Sequence, residues 1–335
     1  MVLRGPVNIA FSFDDKFHDI FKVAVHSIAK NTASDLSIYV VDCGISDAHR
    51  RRIAEFISHY GNILSLKFGL PKRVDAIERL PIPENFSSAI FYRLAIPKIF
   101  PDLKRVIYLD CDIIAGGDIA DLWNEDLGNC AFGAIEEDEN FFRHAERRTN
   151  SEKLGMPDGD FYYSSGVLLI DCCKFEKSDI FGRVIDLISR TKIRLHCPEQ
   201  DAMNMCLRSD EHRALSPKYN FMPYAPLAKS CLKKIRNPTL VHLSCFKPWH
   251  LNGRLVKAFH SLGFFKYSAG FSVKFWQYAG EIGVKACADG NVWATLKFFH
   301  KRTFQPLERA ISKGLRDNFL NLLRKFVKLF SRSAK

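Results

Sequence analysis

The sequence predicts an α/β protein in which a parallel sheet is wrapped by helices. Three observations carry that expectation. Short β-rich runs recur at "VNIAFSF" (7–13), "LSIYVVD" (36–42), "ILSLKFG" (63–69) and "RVIYLD" (105–110). Segments with helical spacing lie between the first three. With 335 residues of which 47% are hydrophobic, the chain can bury one large core or two modest ones.

Taken in order, "MVLRGPVNIAFSFDD" has only a brief apolar run before a pair of acids and reads as a first strand, not a signal peptide, so a cytosolic location is expected. "DIFKVAVHSIAKN" follows with helical spacing, then the second strand. In "SDAHRRRIAEFISHYG", Ser46 is placed to cap a helix and Gly61 to stop it. Alternation of this kind predicts ligands beyond the carboxyl ends of the strands, where Asp14, Asp15, Asp42, Asp110 and Asp112 all fall. The ten cysteines lack paired CxxC spacing, and most of them read as small buried apolar residues in a reducing compartment. No run approaches the roughly 18 to 20 apolar residues that span a bilayer.

"RVIYLDCDII" (105–114) poses a physical question, since a strand-like apolar run carries two carboxylates two residues apart. In an extended segment such side chains share a side, so Asp110 and Asp112 can converge on one cation while Cys111 points away. Carboxylate and phosphate oxygens together suit a hard divalent ion. The same pair also fits one turn-capping and one solvated aspartate, and three residues alone do not separate the two readings.

The blocks "RVIYLDCDIIAGGDIADLWNEDLGN", "GDFYYSSGVLLID", "CPEQDAMN", "YNFMP" and "VHLSCFKPWH" occur in that order. Together they resemble glycosyltransferase family 8, the retaining sugar-nucleotide transferases, and most closely its lipooligosaccharide α-galactosyltransferases. The resemblance runs from "NIAFSFDDKF" to Trp249. It implies a GT-A-type, Rossmann-like mixed sheet flanked by helices, a UDP-sugar donor and a Mn²⁺ ion, with Mg²⁺ as the other candidate. By position it makes Asp110, Asp112 and His242 the metal ligands, and two carboxylates with an imidazole favour Mn²⁺ over Mg²⁺. It places Asp14 and Asp15 at uracil and ribose, although either could equally cap the helix that follows. Arg93 lies near the donor, with a surface salt bridge as the alternative, and Ser164 and Ser165 lie at the sugar. Lys247 matches the diphosphate lysine.

Glu199, Gln200 and Asp201 match the segment beside the anomeric carbon. Glu199 stands where the family usually has aspartate, and "HLSCFKPW" is one residue shorter than usual and lacks a glycine. Gln200 is an amide and a poor nucleophile, which favours front-face return over double displacement. Pro198, Glu199 and Asp201 also suit a helix N-terminus.

The last expectation concerns charge. From Asn291 onward eleven basic residues face only Glu308 and Asp317, which is +9 of the chain's +12. Leu315, Phe319, Leu322, Leu323, Phe326 and Phe330 recur at three and four, so the tail reads as a basic amphipathic helix on anionic lipid or as a helix packed on the catalytic domain. No nucleic-acid motif accompanies the charge. The resulting division is a catalytic domain over 1–250 and a helical, basic, membrane-associating region over 251–335. The function expected is hexosyl transfer from a UDP-sugar to a saccharide acceptor, lipid-linked at the inner face of the cytoplasmic membrane. A self-glucosylating glycogenin-like protein and a non-catalytic UDP-sugar binder are the alternatives.

Overall fold

The computed structural model describes residues 5–70, 75–80, 87–137, 156, 162–193, 195–208, 210–223, 235, 237–244, 247–250 and 266–284. The chain divides into two compact units, Met1–Leu243 and Ser244–Lys335. The basic segment beyond residue 290 lies outside the described residues, and with it the amphipathic helix expected there. Among the described residues no helix is long and apolar enough to cross a membrane.

In the first unit the strands are β1 (Val7–Phe13), β2 (Leu36–Asp42), β3 (Ile63–Gly69), β4 (Arg105–Leu109), β5 (Ile113–Ala115), β6 (Phe132–Glu136), β7 (Tyr163–Asp171), β8 (His212–Ala214) and β9 (Leu240–His242). Seven of them form one sheet in the order β3-β2-β1-β4-β7-β6-β8, and β5 pairs with β9 separately. The first four are parallel, as the strand–helix alternation predicts. β7 runs antiparallel to both β4 and β6, so the sheet is mixed. β2 is buried along its whole length, which fits its unbroken apolar run between β1 and β3.

Helix α1 (His18–Asn31) buries Ile20, Phe21, Val23, Ala24 and Val25. Phe21 stacks on Phe13 and meets Phe11 edge-on, at ring separations of 4.7 and 5.0 Å. A buried phenylalanine of this kind contributes about 1.5–3 kcal/mol relative to exposure. Helix α2 (Asp47–Ser58) is capped by Ser46, whose hydroxyl accepts the His49 N–H, but it ends before Gly61. The later helices that bear on the site are α3 (Ile180–Arg190) and α4 (Pro198–Cys206).

In the second unit, α5 (Lys266–Glu281) packs Phe275 on Trp249, and Trp276 donates its indole N–H to the Pro248 carbonyl at 3.2 Å. Among the described residues no disulfide joins two cysteines. Only Cys111 and Cys172 are fully buried, and Cys173 is exposed, so the expectation of buried apolar cysteines holds for a minority of them.

Candidate active site

The reversed direction of β7 builds the site. Its register, Arg105↔Asp171 through Leu109↔Val167, carries Tyr163–Gly166 past the carboxyl end of β4, where Asp110 donates its N–H to the Gly166 carbonyl at 2.9 Å. A bulge in the β6–β7 register, from Ala134↔Leu168 to Ile135↔Ser164, removes Ser165 from the ladder. Its N–H donates instead to Gln200 Oε1 at 2.9 Å. Four residues on in the same helix, Asn204 accepts the Tyr163 N–H and donates to the Tyr163 carbonyl, at 2.9 and 3.0 Å. Four helical residues rise about 6 Å and two strand residues about 6.6 Å, so α4 matches β7 side chain for backbone.

The two aspartates converge through a turn and not through strand alternation. Asp110 follows the last residue of β4, the turn contains Cys111 and Asp112, and β5 begins at Ile113. β5 then pairs with β9 in the register Ile113↔His242, and the Leu243 N–H donates to the Asp112 carbonyl at 2.9 Å. That pairing brings His242 Nε2 to 3.0 Å from Asp112 Oδ1 and 3.7 Å from Asp110 Oδ2. One ligand atom from each of the three lies within 4.8 Å of the others. Asn220 Oδ1 lies 2.9 Å from His242 Nδ1, the contact that would hold the Nδ1–H tautomer when Nε2 serves a cation.

Asp110 is polarised in the same sense. Its Oδ1 accepts the Tyr108 hydroxyl at 2.7 Å and faces Arg93 Nη2 at 3.0 Å, leaving Oδ2 on the His242 side. Burial raises the Tyr108 pKa well above its ordinary value, so the phenol keeps its proton and donates.

These donors fit a divalent cation. Two carboxylates and an oriented imidazole converge, and the carboxylate excess over the single Arg93 calls for added positive charge. On the β7 side the backbone comes so close that no side chain fits at position 166. A Cβ on Gly166 would lie 2.4 Å from His242 Cε1 and 2.9 Å from Asp110 Oδ2.

Arg93 is buried, which removes the surface salt-bridge alternative. It sits on the consecutive helical turns Ala89–Tyr92, Arg93–Ala95 and Ile96–Ile99. Its Nη1 donates to the Ser165 carbonyl and hydroxyl at 2.8 and 3.0 Å, and its Nη2 lies 3.5 Å from Glu199 Oε1. Burial alone would lower the Arg93 pKa, yet Asp110, Tyr108, Glu199 and Asp112 around it carry it above the ordinary value. Glu199 is shifted up by burial, against the pull of Arg93. Ser165 Oγ donates to Glu199 Oε1 at 3.1 Å, while the Ser164 hydroxyl accepts the Gly166 N–H at 3.3 Å. Asp201 has both oxygens engaged, by the Tyr162 hydroxyl and by the His196 and Cys197 N–H groups, a positioning arrangement at the start of α4.

The structure therefore brings together Asp110, Asp112, His242, Arg93, Ser164, Ser165, Glu199, Gln200 and Asp201. Asp14 and Asp15 follow the end of β1, and Asp14 is near enough to the turn between Asp110 and Asp112 to act electrostatically on Cys111. Asp14 caps its own turn through the Lys16 N–H, whereas Asp15 reaches to α2, accepting from Ser46 N at 2.8 Å with His49 Nδ1 at 2.7 Å. Lys247 belongs to the second unit, with Nζ 5.4 Å from the Trp249 ring centroid. Sequence reasoning missed Tyr108, Glu137, Tyr162, Gly166 and Asn220 as site residues. Tyr108 had a signal, being two residues from Asp110 on one strand face. Asn220 lay in the quoted "YNFMP" without an assignment.

The fold is of the GT-A type. The galactosyltransferase LgtC, solved with donor and acceptor sugar analogues, superposes with a TM-score of 0.67 at 24% identity, over 86% of this chain and 99% of its own. The glycosyl transferase family 8 profile matches residues 8–253, and the chain belongs to that family. Among its relatives, general stress protein A of Bacillus subtilis (strain 168) is 28% identical over 70% of this chain and 84% of its own length. The lipopolysaccharide glucosyltransferase WaaO of Escherichia coli (strain K12) is 26% identical over 73% of each chain.

Proposed function

We propose that the chain transfers a hexose, galactose or glucose, from a UDP-sugar to a saccharide acceptor with retention of anomeric configuration. The observation that carries this reading is the convergence of Asp110, Asp112 and His242 at one edge of the buried Arg93–Ser165–Glu199–Gln200 network. The relatives named as lipopolysaccharide glucosyl- and galactosyltransferases support a lipid-linked core saccharide as acceptor.

Asp110, Asp112 and His242 would hold the cation, with Mn²⁺ favoured by the mixed oxygen and nitrogen donors. When bound, it offsets the diphosphate charge and stabilises UDP as it departs. The chain's own groups do the rest. Arg93 fixes Asp110 and Glu199 in one frame through its planar fork. Gln200 presents an amide oxygen to the positive charge that develops at the anomeric carbon, and Glu199 and the serines shape the sugar's surroundings. In front-face return the bond from that carbon to the UDP oxygen breaks. The bond to the acceptor oxygen forms on the same side, and the acceptor proton passes to the departing phosphate oxygen. The membrane role of the tail belongs to this reading as well. Its +9 charge would hold the enzyme at the inner face of the cytoplasmic membrane, beside such an acceptor.

The test is a screen of UDP-sugars for slow Mn²⁺-dependent hydrolysis by the purified chain, followed by transfer to truncated core saccharides. Hydrolysis of UDP-galactose or UDP-glucose that stops with chelator is the expected result. UDP binding without turnover of any donor would replace the enzyme with a binding protein.

A further inference from the structure

Behind Gln200 lies a second layer of buried polar groups that the transfer reading leaves without a task. Glu137 directly follows β6, and Tyr162 directly precedes β7. Gln200 Nε2 donates to Glu137 Oε1 at 2.8 Å and to the Tyr162 hydroxyl at 3.0 Å. Tyr162 donates its own proton to Asp201 Oδ1, and Asp201 Oδ2 is held by two backbone N–H groups, at 2.7 Å from His196 and 3.0 Å from Cys197. Glu137, Gln200 and Asp201 are each 6% exposed, so water does not compete for these bonds.

The donor and acceptor chemistry leaves Gln200 one orientation. A carboxylate at 137 can only accept, and a tyrosine hydroxyl that donates to Asp201 offers only a lone pair, so both demand the NH₂ end. The Ser165 N–H can only donate, so it demands the carbonyl end. All three partners agree, and the amide oxygen is aimed to the β7 side, where Ser165 and Arg93 meet.

A glutamine at 137 could make the same contact without burying a charge, at lower desolvation cost. The structure keeps a carboxylate there. A carboxylate accepting from an amide N–H draws that proton toward itself and shifts electron density onto the amide oxygen, and in a low-dielectric interior such polarisation is strong. We propose that Glu137 is a positioning residue for transfer, whose carboxylate locks and polarises the Gln200 amide so that its oxygen is more negative toward the anomeric carbon. Tyr162 and Asp201 hold the same amide from the other side. This inference rests on the transfer reading above, because it gives Gln200 a task at the reacting carbon.

The experiment compares full-length wild type, Glu137→Gln, Glu137→Asp and Tyr162→Phe for kcat and KM in Mn²⁺-dependent UDP-sugar turnover. UDP affinity by calorimetry and melting temperature are measured alongside. Glu137→Gln should lower kcat by about ten- to a hundredfold, the scale of one charge-assisted hydrogen bond, with KM and UDP affinity unchanged. Glu137→Asp should recover part of the loss because the charge returns. Tyr162→Phe should lower kcat by less in the same direction, and it carries the test should Glu137→Gln not fold. An active wild type whose Glu137→Gln variant keeps its kcat, or loses only UDP affinity, overturns this inference alone. A wild type that binds UDP and turns over nothing overturns the transfer reading, and the inference falls with it.

Discussion

Arg93 Nη2 stands 3.0 Å from Asp110 Oδ1 and 3.5 Å from Glu199 Oε1, so one buried guanidinium ties the cation-facing carboxylate to the carboxylate that opens α4. Removing it leaves the buried Glu199 and the partly exposed Asp110 without their counter-charge. Arg93→Ala should cost about 3–5 kcal/mol in urea unfolding, the scale of breaking one side of a buried ion pair. Arg93→Lys should recover little of that, because an ammonium cannot serve Asp110, Glu199 and the Ser165 carbonyl together. A lysine variant as stable as wild type would show that charge alone, without the fork, organises the site.

Asp110→Asn and Asp112→Asn should each abolish Mn²⁺-dependent turnover while leaving the fold intact, because each removes one charge facing His242 Nε2. Calorimetric titration of Mn²⁺ in the presence of UDP gives a second readout, and heat of binding should fall with turnover. Full activity in both variants would take the metal away from this cluster.

Most of this centre was legible in the chain, partly from local signals and partly from the ordered blocks that resemble the family. "DCD" announces two carboxylates, and the strand-to-acid junctions at Asp42 and Asp110 mark the carboxyl edge of a parallel sheet. The expected route to convergence was strand alternation, and the turn at Cys111–Asp112 does that work instead. What the sequence could not disclose are contacts set by chain reversal. The antiparallel direction of β7 leaves no trace in its apolar run, and the bulge that frees the Ser165 N–H is a property of pairing, not of composition. Glu137 and Gln200 meet across 63 residues, a separation at which no periodicity connects them. Asp15 read as a nucleotide contact or a cap for its own helix, yet its carboxylate is held at the start of the next helix, α2.

Gly166 is the only residue its position accepts, since a methyl group there would overlap His242 and Asp110. His242 Nδ1 lies 2.9 Å from Asn220 Oδ1, so its ring cannot withdraw without giving up that contact. Gly166→Ala should therefore weaken Mn²⁺ binding more than it lowers thermal stability, with a stability loss of about 1–3 kcal/mol, typical of overpacking. Unchanged Mn²⁺ affinity would mean that β7 moves aside at this point and that the close approach is not required.

Asp15 gives a pH signature. Its pKa is lowered from 3.8 to about 2, first by the Ser46 backbone N–H and then by the bond to His49. A carboxyl whose pKa is depressed in the folded state contributes stability above its unfolded pKa, and that contribution disappears as pH falls through the folded value. The wild type should accordingly be more stable than Asp15→Asn above pH 3.8, and the gap should close as pH approaches 2. Half-exposure of the pair keeps the gap small and sensitive to salt. Chemical denaturation at stepped pH measures it, and a gap that widens toward acid would contradict the assignment of the shift.

The basic tail makes the remaining prediction. Attraction of Lys and Arg to anionic lipid is worth about 1 kcal/mol per residue near the surface and is screened by salt. Full-length protein should therefore sediment with vesicles containing anionic lipid at low salt and leave them as salt rises. Deleting residues 291–335 removes +9 of charge, and every proposed metal, donor and transfer residue from Asp14 to Lys247 is retained. So is the contact of Phe275 with Trp249 that anchors α5 in the second unit. The truncated protein should stay folded, hydrolyse UDP-sugar in solution at the wild-type rate, and ignore the same vesicles. Its transfer to acceptor embedded in such vesicles should fall, while transfer to the free saccharide should not. A full-length protein that ignores anionic vesicles at low salt, or a truncation that unfolds, would assign the tail to packing on the catalytic domain instead.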